Sequence, residues 1–248
     1  MAGFLRQSAS AFGARCLRGR WRNFTSTSDG SDGAKYAEHR ETPLSRWTVS
    51  GERPDRALAF PQYWDAFYKS KESEDPGSLY DWYSNSDVLQ GVLWNKLRRL
   101  QAGHLVLHAG CGTSALSLAL SSHFKDIRFI HADFSMQGLE LMKHRHPELN
   151  WMAMDVRQLP FADRSLAAVV EKGTMDALLR KGDDAWLDMC KECSRALSQG
   201  GIFLQITDEP PELRLPLLEH LREWQVSFSA VDANDDGYEY FVYSCEMR

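Results

Sequence analysis

The stretch LVLHAGCGTSALSLAL, residues 105–120, decides the fold. A short apolar run enters it, the chain passes through Gly110 and Gly112, and apolar residues at helical spacing leave it. A strand that feeds a glycine turn and then a helix is the opening unit of a β-α-β alternation. Glycine at both positions lets the backbone turn tightly and approach a ligand with no Cβ in the way. Ala115 stands where a complete G-x-G-x-x-G would place its third glycine, so the turn alone does not name the ligand.

Working outward, strand and helix patterns alternate. Strand-like runs occupy 104–109, 127–132, 150–154, 166–171 and 202–207. Helical patterns fill 113–124 and 135–146, and a further helix over 183–197 is expected to end at Gly200 and Gly201. Residues 224–231, a turn signal NDDG at 234–237 and residues 238–247 predict a terminal strand pair. Apolar strands alternating with helices imply an α/β fold, a parallel sheet covered on both faces. Upstream, Val88, Leu89, Val92, Leu93, Leu97 and Leu100 recur at helical spacing within residues 81–100. Order is expected to begin at FPQYWDAFYKS, residues 60–70.

The 248 residues suit one domain with an arm, and no run approaches the ~20 apolar residues of a membrane helix. Residues 1–28 hold five arginines, many Ser and Ala, and no Asp or Glu, the composition of a mitochondrial transit peptide. The other reading is a basic arm on a cytosolic protein. Residues 29–60, rich in Ser, Gly, Arg and Glu without periodicity, read as a flexible linker, leaving 61–248 as the folded domain. Without the arm the net charge moves from −5 to −10, which argues against nucleic acid as the main partner and accommodates a basic face on a protein substrate. Cys190 and Cys193 form a CxxC inside a helical pattern, with no second CxxC or spaced His pair. Ordinary helix residues, not metal ligands, are expected there.

Three strand ends carry chemistry in register. Asp133 closes the second strand 21 residues after Gly112, where a carboxylate can accept bonds from two ribose hydroxyls. Asp155 and Val156 end the third, offering a carboxylate to an exocyclic amine and a backbone N–H to a ring nitrogen. The alternative for each aspartate is a helix N-cap or loop carboxylate.

With LVLHAGCGTS, HADFS, MDVRQLPF, AVVEKGTMDAL and RALSQGGIFLQIT in this order, residues 60–248 resemble the class I S-adenosylmethionine-dependent methyltransferases. YWDAFY, YDWY and EKGTMDALL are similar to the methyltransferase-like protein lysine methyltransferases, and TDEPPELRLPLLE to their mitochondrial citrate synthase-modifying branch. The resemblance implies a Rossmann-like fold with a seven-stranded, mostly parallel sheet, S-adenosyl-L-methionine as cofactor, and a protein substrate, citrate synthase, in the mitochondrial matrix. It places Gly110, with Gly112 in the same turn, at the methionine part, Asp133 and Phe134 at the ribose, and Asp155 and Val156 at the adenine. It adds Lys172 as a further contact, and Trp64, Tyr68 and Trp82, on a segment over 61–100, as rings closing over the cofactor. A sulfonium is a cation, which ring faces attract by ~0.5–2 kcal/mol; core packing would use the same rings.

Two positions depart from the family pattern: His108 replaces an acid and Ser114 a frequent glycine. A neutral histidine accepts a hydrogen bond, whereas a protonated one repels an ammonium, so lowered or pH-dependent cofactor affinity is expected. Glu171 and Asp208, directly after the fourth and fifth strands, are expected to face the crevice as candidates for the chemistry, with Asp176 and Glu209 beside them. The proline-rich acidic loop TDEPP is expected to face a basic target; alternatively Pro210 and Pro211 simply start a helix.

Overall fold

The computed structural model describes residues 54–74, 79–83, 87–181, 183–232 and 239–248. The arginine-rich arm, most of the linker and the NDDG turn lie outside the described residues.

Seven strands form one sheet: β1 (Leu105–Ala109), β2 (Arg128–Asp133), β3 (Trp151–Ala153), β4 (Leu166–Lys172), β5 (Leu197–Thr207), β6 (Trp224–Asp232) and β7 (Glu239–Met247). Their order is β3-β2-β1-β4-β5-β7-β6, with only β7 antiparallel to its neighbours. The order reverses beside β1, which pairs with both β2 and β4. A crevice therefore opens at the carboxyl ends of these strands, where their turns diverge to opposite faces.

Among the described residues seven α-helices accompany the sheet: α1 (Pro61–Glu74), α2 (Asp87–Leu97), α3 (Leu116–His123), α4 (Met136–Arg145), α5 (Thr174–Leu179), α6 (Ala185–Ala196) and α7 (Pro211–Leu218). Strand alternation divides the core in two. Leu107, Val169 and Phe203 join a cluster with Met175, Met189, Cys190, Cys193 and Trp224. Their chain neighbours Val106, Val170 and Leu204 join Leu89, Leu93, Leu97, Leu116 and Leu120 on the other face. Each such leucine, fully buried, contributes about 1.5–3 kcal/mol. Cys190 and Cys193 sit within this core, and burial pushes the Cys190 thiol up to about 12 and Cys193 well above its ordinary range.

The structure differs from the sequence reading in two places. Pro54–Ala59, assigned to the linker, forms a 3-10 helix with Leu58 and Ala59 buried, because the indole N–H of Trp64 donates to the Leu58 carbonyl at 2.7 Å. Gly200 and Gly201 do not end α6, which stops at Ala196; they lie inside β5, whose ladder with β4 shifts register there. Gly200 at φ 71° supplies the irregularity that keeps Leu197 and Ile202 both paired with β4. The proline pair starts a helix, as the second reading held: Pro210 precedes α7 and Pro211 opens it.

Candidate cofactor and active site

The β1–α3 turn is shaped by what must pass next to it. Gly110 and Gly112 have φ of 59° and 49°, a region that side chains disfavour. A Cβ on Gly110 would come within 2.9 Å of the Thr174 Cβ and overlap its hydroxyl. One on Gly112 would overlap the Tyr68 hydroxyl. Glycine at these points thus admits the start of α5 on one side and an aromatic ring of α1 on the other. Thr174 then ties the start of α5 to β1 by donating its hydroxyl to the Ala109 carbonyl at 3.2 Å.

Asp133 anchors the same turn from β2. Its two oxygens accept from the Gly112 and Ser135 N–H groups, each at 2.8 Å. Burial raises its pKa to about 6, with these backbone N–H groups and that of Phe134 holding it from going higher. Each oxygen still has acceptor capacity for a further hydroxyl. At the β3 end Asp155 is half-buried and gripped by the Arg157 guanidinium at 2.6–3.1 Å. Burial would raise its carboxyl, but the Arg157 hydrogen bonds outweigh that and hold it below its ordinary value.

Trp64, Tyr68, Tyr80 and Trp82 lie edge-to-face or stacked, with ring centroids 5.8 Å apart for Trp64–Tyr68 and Trp64–Trp82 and 5.9 Å for Tyr80–Trp82. The short segment carrying Tyr80 and Trp82 is stitched to the turn. Tyr80 N–H donates to Thr113 Oγ1 at 3.1 Å, that hydroxyl donates back to the Tyr80 carbonyl at 2.9 Å, and Ser114 Oγ donates to Asp81 at 2.7 Å. Asp81 also pairs with Lys172, whose side chain is 2% exposed. Burial lowers the Lys172 pKa and Asp81 offsets part of that.

These elements line an open-mouthed cavity of about 80 Å³. Trp64, Tyr68, Trp82, Gly110, Gly112, Asp133, Phe134, Asp155, Val156 and Lys172, all singled out from sequence, line it together. Met154, Val156, Leu178 and Leu58 give its wall an apolar stretch.

His108 also lines the cavity, but not as a titrating group. It is 1% exposed, with Nδ1 at 3.1 Å from Ser117 Oγ and 3.3 Å from His131 Nδ1. Burial, His131 and Lys172 together push its pKa well below the ordinary value. The ring is neutral at physiological pH, so the expected pH dependence does not arise from it.

The two carboxylates proposed for the chemistry lie outside the cavity lining. Glu171 is fully buried, because neighbouring strand residues point to opposite faces and Lys172 takes the cavity side. Its Oε2 accepts the Thr174 N–H at 2.7 Å, so it serves the start of α5, and burial and Asp176 raise its pKa to about 8. Asp208 accepts from the Tyr83 hydroxyl at 2.9 Å, and the same hydroxyl stands 3.0 Å from Asp176, itself paired with the buried Arg214. Asp176 is therefore part of a structural network. Glu209 is half-buried, and its carbonyl accepts from the Tyr243 hydroxyl at 2.8 Å. Asp81, Ser114 and Thr174 are the lining residues whose roles sequence reading missed; YDWY marked the segment but not the carboxylate's direction.

A family profile described as a methyltransferase domain matches residues 106–201. The citrate synthase-lysine N-methyltransferase CSKMT, mitochondrial, of Pongo abelii is 30% identical over 236 residues, covering 84% of this chain and 97% of that protein. The chain belongs to the class I S-adenosylmethionine-dependent methyltransferases, in the protein lysine methyltransferase group. EEF1A lysine methyltransferase 4 of Bos taurus is 34% identical over 167 residues, 62% of this chain and 62% of that relative's length. Among solved structures, the Haemonchus contortus phosphoethanolamine N-methyltransferase 2 in complex with S-adenosyl-L-methionine superposes with a TM-score of 0.58 at 11% identity, covering 81% of this chain and 61% of that one. S-adenosylmethionine is the cofactor of this methyltransferase, and the cavity suits it. The glycine turn leaves space that a Cβ would fill, a buried carboxylate keeps acceptor capacity, and apolar walls and aromatic rings surround the rest.

Proposed function

We propose that this methyltransferase modifies the side-chain nitrogen of a lysine in a mitochondrial protein, and that the protein is citrate synthase. The observation that carries the chemistry is the convergence of the ten residues above on one cavity, each at a strand end or on the aromatic segment over it. In this reading Asp155 and Val156 hold the adenine, Asp133 and Phe134 the ribose, Gly110 and Gly112 the methionine part, and Trp64, Tyr68 and Trp82 the cationic centre. When bound, the cofactor supplies a methyl group activated by its sulfonium. The chain's own work is to align and desolvate: the rings exclude water and narrow the approach to one direction. An incoming lysine, with an ordinary pKa of ~10.4, loses its proton more readily in such an apolar setting. Of the two candidate carboxylates, Asp208 remains as the one to guide a basic target, linked through Tyr83 to the cavity-lining Trp82.

The compartment rests on the five arginines and absent acids of residues 1–28, and on a similarity that runs over nearly the full length of a mitochondrial relative. A second reading, elongation factor 1A as substrate, is favoured by the higher identity to the bovine enzyme. Methyl-tritiated cofactor mixed with purified unmethylated citrate synthase or elongation factor 1A separates the two. Label on citrate synthase at lysine, with the full chain imported into isolated mitochondria, is the expected result. Label on the elongation factor alone overturns both the target and the compartment. No label on either, with cofactor bound, would leave a cofactor-binding fold without this activity.

A further inference from the structure

The cavity holds charge in an uneven way. Among its described lining residues Lys172 is the one Lys or Arg, and the carboxylates are Asp81, Asp133 and Asp155. Asp155 lies at the far, β3 end and pairs with Arg157, and Asp133 already accepts two backbone N–H groups at the β2 end. Asp81 is different. Ser114 and Lys172 both bond its Oδ1, and no described residue donates to Oδ2. The turn itself brings no carboxylate, because the residue two before Gly110 is the buried neutral His108.

The order of the strands says which part of the cofactor meets this pair. S-adenosylmethionine is a linear molecule of adenine, ribose, sulfonium and amino acid. With adenine at the β3 end and ribose at the β2 end, the next strands along the crevice are β1 and then β4, which carries Lys172. Asp81 reaches that same place from the aromatic segment. The amino-acid end carries one ammonium and one carboxylate, the charge pattern that the pair of half-buried Asp81 and buried Lys172 complements.

We infer that Asp81 and Lys172 together receive the amino-acid end of the cofactor, Asp81 Oδ2 taking the ammonium and Lys172 the carboxylate, so that the carboxylate missing from position 108 is supplied by the segment that closes the site. The inference rests on the cofactor reading of the cavity and deepens it. The four charges alternate in sign and sum to zero, so the zwitterion offsets the charges of buried Lys172 and of its half-buried partner Asp81. Closure and cofactor recognition are then one event: residues 79–83 dock on the turn through Thr113 and Ser114, and bring the ammonium's partner with them.

The test compares two nucleosides by isothermal titration. S-adenosylhomocysteine carries the amino-acid end; 5′-methylthioadenosine lacks it. The wild-type protein is expected to bind the first at least 10-fold more tightly. Asp81→Asn is expected to weaken S-adenosylhomocysteine by roughly 10–100-fold, the range of a lost charge-assisted bond, and 5′-methylthioadenosine by less than about 3-fold. Equal losses for both ligands would make Asp81 a staple of the segment and overturn the inference. So would equal affinity of the two ligands for the wild-type protein, a measurement that does not depend on the variant folding. Failure of the wild type to bind either nucleoside would overturn the cofactor reading itself, and this inference with it.

Discussion

Replacing Glu171 by glutamine tests whether that carboxyl is a structural group kept neutral by burial. Its side chain is fully buried and its pKa is raised from the ordinary 4.5 to about 8. Between those values the folded chain holds a proton that the unfolded chain has released. Stability from this group is therefore present below pH 4.5, falls as pH rises, and levels off above about 8. Each unit of that shift is worth about 1.4 kcal/mol, so the wild type is expected to lose roughly 2–3 kcal/mol between pH 6 and 8 through Glu171. Glutamine carries no proton to lose, and its carbonyl can still accept the Thr174 N–H that Glu171 now takes. Urea unfolding at both pH values reads the difference, as a relative midpoint shift of roughly 1 M. His108 and His131, both depressed by burial, weaken the fold only toward acid and act equally in the two proteins. Parallel pH profiles for wild type and variant would refute the reasoning. Cofactor affinity is expected to stay within about 3-fold, below the cost of a lost charged contact, because Glu171 does not line the cavity.

Two further predictions concern the cavity. Asp133 has a pKa of about 6 in the folded protein, and ribose hydroxyls bond a carboxylate better than a neutral acid. Affinity for S-adenosylhomocysteine is expected to weaken toward acid, by roughly 10-fold per pH unit below that value if only the ionised form binds. Titration calorimetry at pH 5 to 8 checks this, and Asp133→Asn should flatten the profile. Gly110→Ala meets both a disfavoured φ and the body of Thr174, and is expected to cost about 2–4 kcal/mol in denaturant unfolding. Adding Thr174→Ala should recover only part of this, since the positive φ remains; a Gly110→Ala loss below about 0.5 kcal/mol would contradict the crowding seen at this turn.

The wider architecture was legible because its signals are local. Runs such as Val106–Leu107 and Val169–Val170 are apolar on consecutive residues, which happens when both faces of a strand are covered, and that pattern implies a parallel sheet. The glycine turn and the aspartates at the ends of β2 and β3 follow from strand ends that can be counted along the chain. Gly200 misled for an equally local reason: glycine marks a helix end or a strand irregularity with the same residue, and only pairing with β4 tells them apart.

By itself, then, the sequence determined the order of elements and the strand-end residues that meet in the cavity, since periodicity and spacing need no partner to be read, while the family came from resemblance in its motifs. The tertiary structure decided which way individual side chains face and what they meet. Glu171 and Lys172 are adjacent in sequence, yet strand alternation buries one under α5 and turns the other into the cavity. Asp81 lies 33 residues from Ser114 and 91 from Lys172, and joins both at a single oxygen. His108 reads as a titratable group until burial beside His131 and Lys172 removes its charge. Charge state and direction depend on neighbours distant in the chain, and folding is what brings those neighbours together.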